Sequence, residues 1–144
     1  MRMTDVLFGV NRNERTTDIG LLVLRVLGAL TLVLLHGWGK VPPKPGFVGM
    51  LGGMGFPAPE IFAWLAALAE FGGGLLLAIG LLTRPAAFLL VGHFAIVVLV
   101  AHAGETFKER ELPFLFLVIA LTLLFTGAGR YSVDAALRDR PHYG

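Results

Sequence analysis

Three ionisable residues, Arg25, Glu70 and His93, lie inside long apolar stretches of the sequence. In hydrocarbon an unpaired charge costs at least about 2.5–3.5 kcal/mol, so each of them needs a partner or a wet cavity. At about 1.5 Å per helical residue, Arg25 and Glu70 lie roughly 10 Å and 18 Å from the same membrane face. Since a long arginine side chain can bridge that offset, we predict a bidentate Arg25–Glu70 ion pair. Such a pair serves either a functional site or helix register, and both interpretations stay open.

A second group, His36, His102, Glu105 and Glu111, lies at the opposite ends of the apolar stretches. Imidazoles and carboxylates together suit a proton relay or a metal site, but their spacing matches no established metal signature, so we predict no metal. His93 and His102 are nine positions apart, which places them on opposite sides of a regular helix. Unless the helix kinks, we therefore expect at most one of them to face a common cavity, and favour His102.

These residues need elements that cross a bilayer to position them. Four apolar stretches are long enough, because about 20 helical residues cover a hydrocarbon core of about 30 Å. We predict spans at residues 19–36, 60–82, 85–103 and 111–128. None of them alternates with period two, which argues against strands. The predicted fold is an all-α, integral membrane four-helix bundle in a single domain, residues 1–144.

The segments around these spans carry helix signals of their own. Thr17 and Asp18 precede the first span, and Glu111 with Pro113 opens the fourth. Ser132 is expected to cap an amphipathic tail helix at residues 132–140.

The long loop between the first two spans is rich in glycine and proline, but apolar residues recur in it at helical spacing. These residues are Phe47, Met50, Leu51 and Met54. The pattern predicts a short helix, which either lies along the membrane interface or folds over the bundle as a lid.

The positive charges outside the spans favour one orientation. Seven lie on one side of the predicted bundle and four on the other. The larger group is Arg2, Arg12, Arg15, Arg84, Arg130, Arg138 and Arg140, and the smaller is Lys40, Lys44, Lys108 and Arg110. By the positive-inside rule, both termini are predicted to be cytoplasmic.

The composition excludes several classes of function. The chain has 144 residues, 56% hydrophobic and 15% charged, with a mean hydropathy of +0.75, which excludes a disordered chain. The absence of cysteine excludes disulfides, thiolate-bound metals and thiol redox chemistry. A net charge of +2 without a basic cluster gives no nucleic-acid site. Because we find no separate soluble domain, a redox activity would need another chain to carry its cofactor.

Several short segments, taken in order, resemble the DoxX family of small four-span bacterial membrane proteins. They are residues 24–28 (LRVLG), 36–40 (HGWGK), 68–77 (LAEFGGGLLL), 80–84 (GLLTR), 101–102 (AH), 111–112 (EL) and 127–134 (GAGRYSVD). The sequence departs from the family pattern at Glu109-Arg110-Glu111, where relatives often carry Gly-Gly-Glu.

The resemblance implies a site and a class of ligand. Some family members resemble the small subunit of a thiosulfate:quinone oxidoreductase, and others are associated with membrane redox complexes or with resistance to thiols, catechols and quinones. Carried over, this implies a binding site formed by Arg25, His36, Glu70, His102 and Glu111, with Glu70, Arg25 and His102 as catalytic candidates. An apolar cavity with a few polar groups suits a membrane-soluble ligand such as a quinone.

Three functions follow as alternatives. The first is a quinone-linked oxidoreductase subunit in the bacterial inner membrane, whose protein partner carries the redox cofactor. The second is a non-catalytic binder or carrier of a small apolar molecule, and the third is an assembly protein for a membrane redox complex. The lipid bilayer is an expected partner in each case, and the small-residue stripes on the second span also suit a homo-oligomer.

Overall fold

The computed structural model describes residues 14–139, and this part of the chain folds into helices without a strand. The helices are α1 (Glu14–Lys40), α2 (Pro45–Gly53), α3 (Pro59–Ile79), α4 (Thr83–Ala101), α5 (Phe107–Thr126) and α6 (Val133–Arg138). The all-α prediction is confirmed.

The four long helices form the predicted membrane bundle. α1, α3 and α4 have 27, 21 and 19 residues and are apolar enough to cross a bilayer. α5 has 20 residues, but its first two turns carry the charged run Lys108 to Glu111. It packs along α4, while α1 packs along the second half of α3.

The core lies where the four long helices meet, and it is built from small and branched side chains. Its buried members include Ala29, Leu32, Leu77, Leu90, Phe94, Phe116, Ala120 and Leu123. Gly74 lets α1 approach α3 closely, since a Cβ there would lie 2.6 Å from Cγ2 of Val33. The small residues of the second span, Ala63, Ala66, Ala67, Gly73 and Gly74, are buried within the bundle.

Two predicted helix starts are wrong. α1 already runs at Glu14, so Asp18 lies inside it, and its Oδ1 accepts the backbone N–H of Arg130 at 2.9 Å instead of capping the helix. α5 begins at Phe107, one turn before Glu111, because Thr106 and Glu109 form a reciprocal capping box.

The two short helices are confirmed. α2 lies in the loop between α1 and α3, and it packs against α3. Ser132 caps α6, its Oγ accepting the N–H of Ala135 at 3.2 Å. Arg2, Arg12 and Arg140, which enter the charge count, lie outside the described residues, and the orientation of the bundle stays a prediction.

Candidate functional site

A cavity of about 750 Å³ is bounded by α3, α4 and α2. Its walls are mostly apolar, with contributions from Phe47, Met50, Leu51, Met54, Phe56, Phe62, Leu65, Ala66, Leu68, Ala69, Phe88, Leu89, Gly92, Ile96, Val97 and Ala101. Its polar lining comes from Lys40, Glu70, His93, His102 and Glu105. We call this space the groove. Its volume is in the range of small-molecule sites.

The groove has its shape because α3 and α4 diverge. The two helices pack together from Leu68 to Ile79, but the first part of α3, Pro59–Ala67, packs against α2 instead. Glu70 and His93 lie where α3 and α4 are still in contact, and we call this part of the groove its narrow end; the part bounded by α2, where the two helices no longer pack together, is its wide end.

The carboxylate of Glu70 lies at the narrow end and binds two basic side chains. Nζ of Lys40 donates to both oxygens, at 2.8 Å to Oε1 and 2.6 Å to Oε2. Nε2 of His93 donates to Oε1 at 2.8 Å. The side chain of Glu70 is 4% exposed, that of His93 13% and that of Lys40 29%. We call these three residues the polar cluster.

A close contact between α1 and α3 brings Lys40 to Glu70. A Cβ on Gly37 would lie 2.8 Å from the backbone nitrogen of Phe71, so only glycine allows the two backbones to meet here. Lys40 follows Gly37 by about one helical turn, and its ammonium group also lies 5.2 Å from the centre of the Phe47 ring of α2. Lys40 therefore links α1, α3 and α2 at the groove.

Three of the long helices widen into π-helical turns around the groove, at Val33–Gly37, Leu68–Gly73 and Val97–Ala101. Such turns occur frequently at functional sites because they redirect side chains within a helix. The second of them carries Glu70. The third lies between His93 and His102 and changes the angle between them.

The comparison with known proteins agrees with this architecture. The DoxX family model matches residues 20–103, which hold α1 to α4 almost completely and with them the groove. The chain belongs to the DoxX family. An Escherichia coli (strain K12) protein named "Inner membrane protein YqjF" is 33% identical over 131 residues, covering 88% of this chain and 98% of its own.

Two further relatives of this DoxX protein extend over nearly the same length. A Haemophilus influenzae (strain Rd) protein is 31% identical, covering 87% of this chain and 96% of its own. A Bacillus subtilis (strain 168) protein named "Putative oxidoreductase CatD" is 29% identical, covering 84% and 89%. No solved structure matches the chain significantly. The family, the apolar helices and the inner-membrane relative make this DoxX protein a multi-pass protein of the bacterial inner membrane.

The predicted Arg25–Glu70 ion pair is wrong. Arg25 is 1% exposed, and its guanidinium donates to the carbonyls of Leu77 at 2.9 Å, Ala78 at 2.6 Å and Tyr131 at 2.7 Å. Leu77 lies seven residues beyond Glu70 on α3, about 10 Å along the helix. The last carbonyls of a helix lack partners within it and carry partial negative charge, so they attract the guanidinium more effectively than a distant carboxylate.

Arg25 belongs to a second assembly, at the end of this DoxX bundle opposite the groove. Gly80 is in contact with Arg25 and with Ser132, since a Cβ there would lie 2.7 Å from Nη1 and 2.6 Å from Cβ respectively. The carboxylate of Asp134 accepts the backbone N–H groups of Leu82 at 2.8 Å and Thr83 at 2.9 Å, and so caps α4. We call these contacts, together with the carbonyl of Tyr131, the tail clasp.

The contacts of the tail clasp lower the pKa of Asp134 below its ordinary value. Burial by itself would raise this pKa, but the hydrogen bonds from Thr83 and Leu82 and the positive charge of Arg25 lower it by more. The segment 127–134, which contributes to the family resemblance, is thus used to join α1, α3 and α4.

The remaining predicted site residues separate into two groups. His102 lines the groove at the C-terminal end of α4. There its Nδ1 donates to the Val97 carbonyl at 2.9 Å, and its Nε2 lies 3.8 Å from Glu105. His36 does not line the groove and packs edge-on against Phe116 at 5.6 Å. Glu111 is exposed and also lies away from the groove. Within residues 14–139, no three metal-ligating side chains are grouped together.

Two features of the polar cluster escaped the sequence analysis. The expectation that only one of His93 and His102 faces the cavity is wrong, because the π-helical turn between them reduces the rotation that a regular helix would impose. Lys40 lies outside the predicted span 19–36, whereas in the structure the first helix continues through Trp38 to Lys40. The available signal was the spacing HGWGK, in which a lysine follows a glycine by one turn at the end of a span.

Proposed function

We propose that this DoxX protein is the membrane subunit of a redox system and binds a quinone or a similar small apolar molecule in the groove. The observation that carries the proposal is the polar cluster at the narrow end of an otherwise apolar cavity. Sites for apolar ligands typically combine apolar walls with a few convergent polar groups that fix the orientation of the ligand.

The polar cluster offers both halves of the hydrogen bonding that a quinone needs. A quinone carbonyl accepts hydrogen bonds, for which Lys40 and His93 are the donors. A quinol hydroxyl donates, and the carboxylate of Glu70 accepts. Reduction of a quinone to a quinol adds two electrons and two protons. We propose that a partner chain with a redox cofactor supplies or takes the electrons, and that Glu70 and His93 exchange the protons with the ligand.

The name of the Bacillus subtilis relative, which describes an oxidoreductase, supports this proposal over a purely structural role. The tail clasp also argues against a purely structural role as an assembly protein. Segment 127–134 binds groups of its own bundle, which leaves less of its polar surface for a docking partner. Residues Arg25, His36 and Glu111 are not part of the proposed site.

Tryptophan fluorescence can test the binding step directly. Trp38 lies edge-on against Phe71 at 5.8 Å, next to Glu70, so a quinone at the polar cluster is expected to quench it. In lipid nanodiscs, decylubiquinone should quench the wild-type protein saturably, and Trp38→Phe should remove most of the saturable signal while Trp64→Phe retains it. Purely linear quenching of the wild type would contradict the proposed binding.

The redox step needs the protein with its native partner. With co-purified partner proteins, Glu70→Gln is expected to lower quinone turnover while the protein remains folded and membrane-inserted. Saturable binding without turnover, for any donor tested with the partner present, would instead indicate a non-catalytic binder.

A further inference from the structure

The groove has an open side, and the residues along that side indicate where it leads. Leu65 and Leu68 on α3 and Phe88 and Leu89 on α4 all line the groove, yet each is more than half exposed, from 55% to 66%. They belong to helices that cross the membrane, so their exposed surfaces lie against lipid. We call these four residues the side opening.

The polar cluster lies well inside the membrane-spanning helices. Glu70 is eleven residues from the start of α3, so it lies about 16 Å below that end of the helix. Above it α2 covers the wide end of the groove, with Leu51 buried and Phe47, Met50 and Met54 facing the cavity. A molecule at the polar cluster therefore lies within the membrane-spanning part of α3 and α4, and the side opening connects that position to lipid.

The distribution of polar groups constrains the shape of the ligand. Hydrogen-bonding groups concentrate at the narrow end, whereas the walls that lead from there to the side opening are apolar. A ligand that fits both regions has a polar head and a single flexible apolar chain. A chain directed toward the C-terminal end of α4 would meet the polar side chains of His102 and Glu105 instead.

We propose that the ligand of the groove is a long-chain amphiphile that enters from the bilayer between α3 and α4, polar head first, and leaves its chain in the side opening. This inference rests on the proposed function, and it adds the ligand class and the access route. The pathway requires no movement of α2, because the side opening already connects the groove to lipid.

Photochemical labelling tests the position of the chain. The probe is a decyl-chain benzoquinone that carries a diazirine at the end of the chain, and the protein is held in lipid nanodiscs. Labelling that excess decylubiquinone suppresses should map to the peptides containing Leu65, Leu68, Phe88 and Leu89. Leu27 and Phe125, which are 63% and 76% exposed on α1 and α5, report background labelling from lipid, which excess decylubiquinone should not suppress.

A steric variant pair provides the second measurement. Leu65→Trp/Leu89→Trp narrows the side opening and is expected to weaken binding of decylubiquinone by about tenfold, while the same ring without its decyl chain binds as to wild type. The matched control, Leu35→Trp/Leu99→Trp, changes leucines that are 74% and 70% exposed and lie outside the groove, and should leave both ligands unaffected.

The outcomes separate the inference from the proposed function. If both ligands bind saturably but suppressible labelling maps to α2, or if the narrowed opening weakens both equally, the side opening is not the path of the chain and the inference is overturned. If neither ligand binds saturably and no labelling is suppressible, the proposed function fails and the inference fails with it.

Discussion

At the scale of single residues, Arg25 and Glu70 each bind polar groups of neighbouring segments instead of binding each other. Arg25 finds the last carbonyls of α3 and the carbonyl of Tyr131, and Glu70 finds Lys40 and His93. In the first arrangement the two terminal nitrogens of the guanidinium donate to backbone carbonyls, and Arg25 thus contributes to structure. The second leaves an ammonium group partly exposed beside a cavity, where a ligand can replace or share its hydrogen bonds.

Lys40→Met is expected to destabilise the protein, because it removes two hydrogen bonds from the buried carboxylate of Glu70. A buried acceptor that loses its partner costs about 1–3 kcal/mol, which a lowered Tm in detergent would reveal. Lys40→Met/Glu70→Gln should recover part of this loss, since no charge is then left unpaired. If the stability losses of Lys40→Met and Glu70→Gln simply add up to the loss of the double variant, the two side chains are not coupled.

Asp134 gives the tail clasp a pH dependence of predictable sign. Since its pKa is lower in the folded protein, the carboxylate stabilises the fold above the ordinary aspartate pKa of about 3.9, and this stabilisation is lost as the pH falls through the folded value. Asp134→Asn should therefore lower Tm at pH 7, and the difference from wild type should shrink below about pH 4. Thermal unfolding of both proteins between pH 7 and about pH 4 checks this prediction. An equal difference in Tm at every pH would contradict the electrostatic explanation.

At the scale of elements, the groove depends on how closely α1 approaches α3 and on the divergence of α3 from α4. Gly37 permits the close approach of α1 to α3, and a larger residue at this position would hold Lys40 away from Glu70. The π-helical turns then set the direction of Glu70 and the direction of His102 relative to His93.

Gly37→Ala is expected to separate α1 from α3, because the new methyl group would lie within 3 Å of the backbone of Phe71. Overpacking of this kind costs about 1–3 kcal/mol, and the displacement of Lys40 should also weaken binding of decylubiquinone. Gly39→Ala is the matched control, since its Cβ would meet nothing within 4 Å. Equal Tm values and affinities for the two variants would argue against the close contact.

The elements were more predictable from the sequence than the contacts between them. Apolar length fixed the existence of the four long helices, and the periodicity of Phe47, Met50, Leu51 and Met54 located α2. The partners of Arg25 and Glu70 were not predictable by depth arithmetic. That arithmetic treats helices as parallel and equally regular, whereas α1 extends to Lys40 and the π-helical turns change the angles between side chains.

At the scale of the whole molecule, the tail clasp and the polar cluster lie at different positions along the bundle and have different roles. The tail clasp joins α1, α3, α4 and the tail at one end, where the helices pack closely. At the other end the helices diverge around the groove, and α2 covers the space that opens. We infer that the closed end holds the bundle together while the open end accommodates a ligand.

Filling the groove tests this account most directly. Gly92 lines the groove, and a Cβ there would meet nothing within 4 Å, so Gly92→Leu should occupy the cavity without disturbing the packing of α4. Gly72→Leu is the matched control, because Gly72 has the same free space but lies outside the groove. The measurement is the saturable quenching of tryptophan fluorescence by decylubiquinone in nanodiscs. We predict that Gly92→Leu weakens binding by about tenfold or more while Gly72→Leu binds as wild type does, and equal affinities for all three proteins would contradict the account.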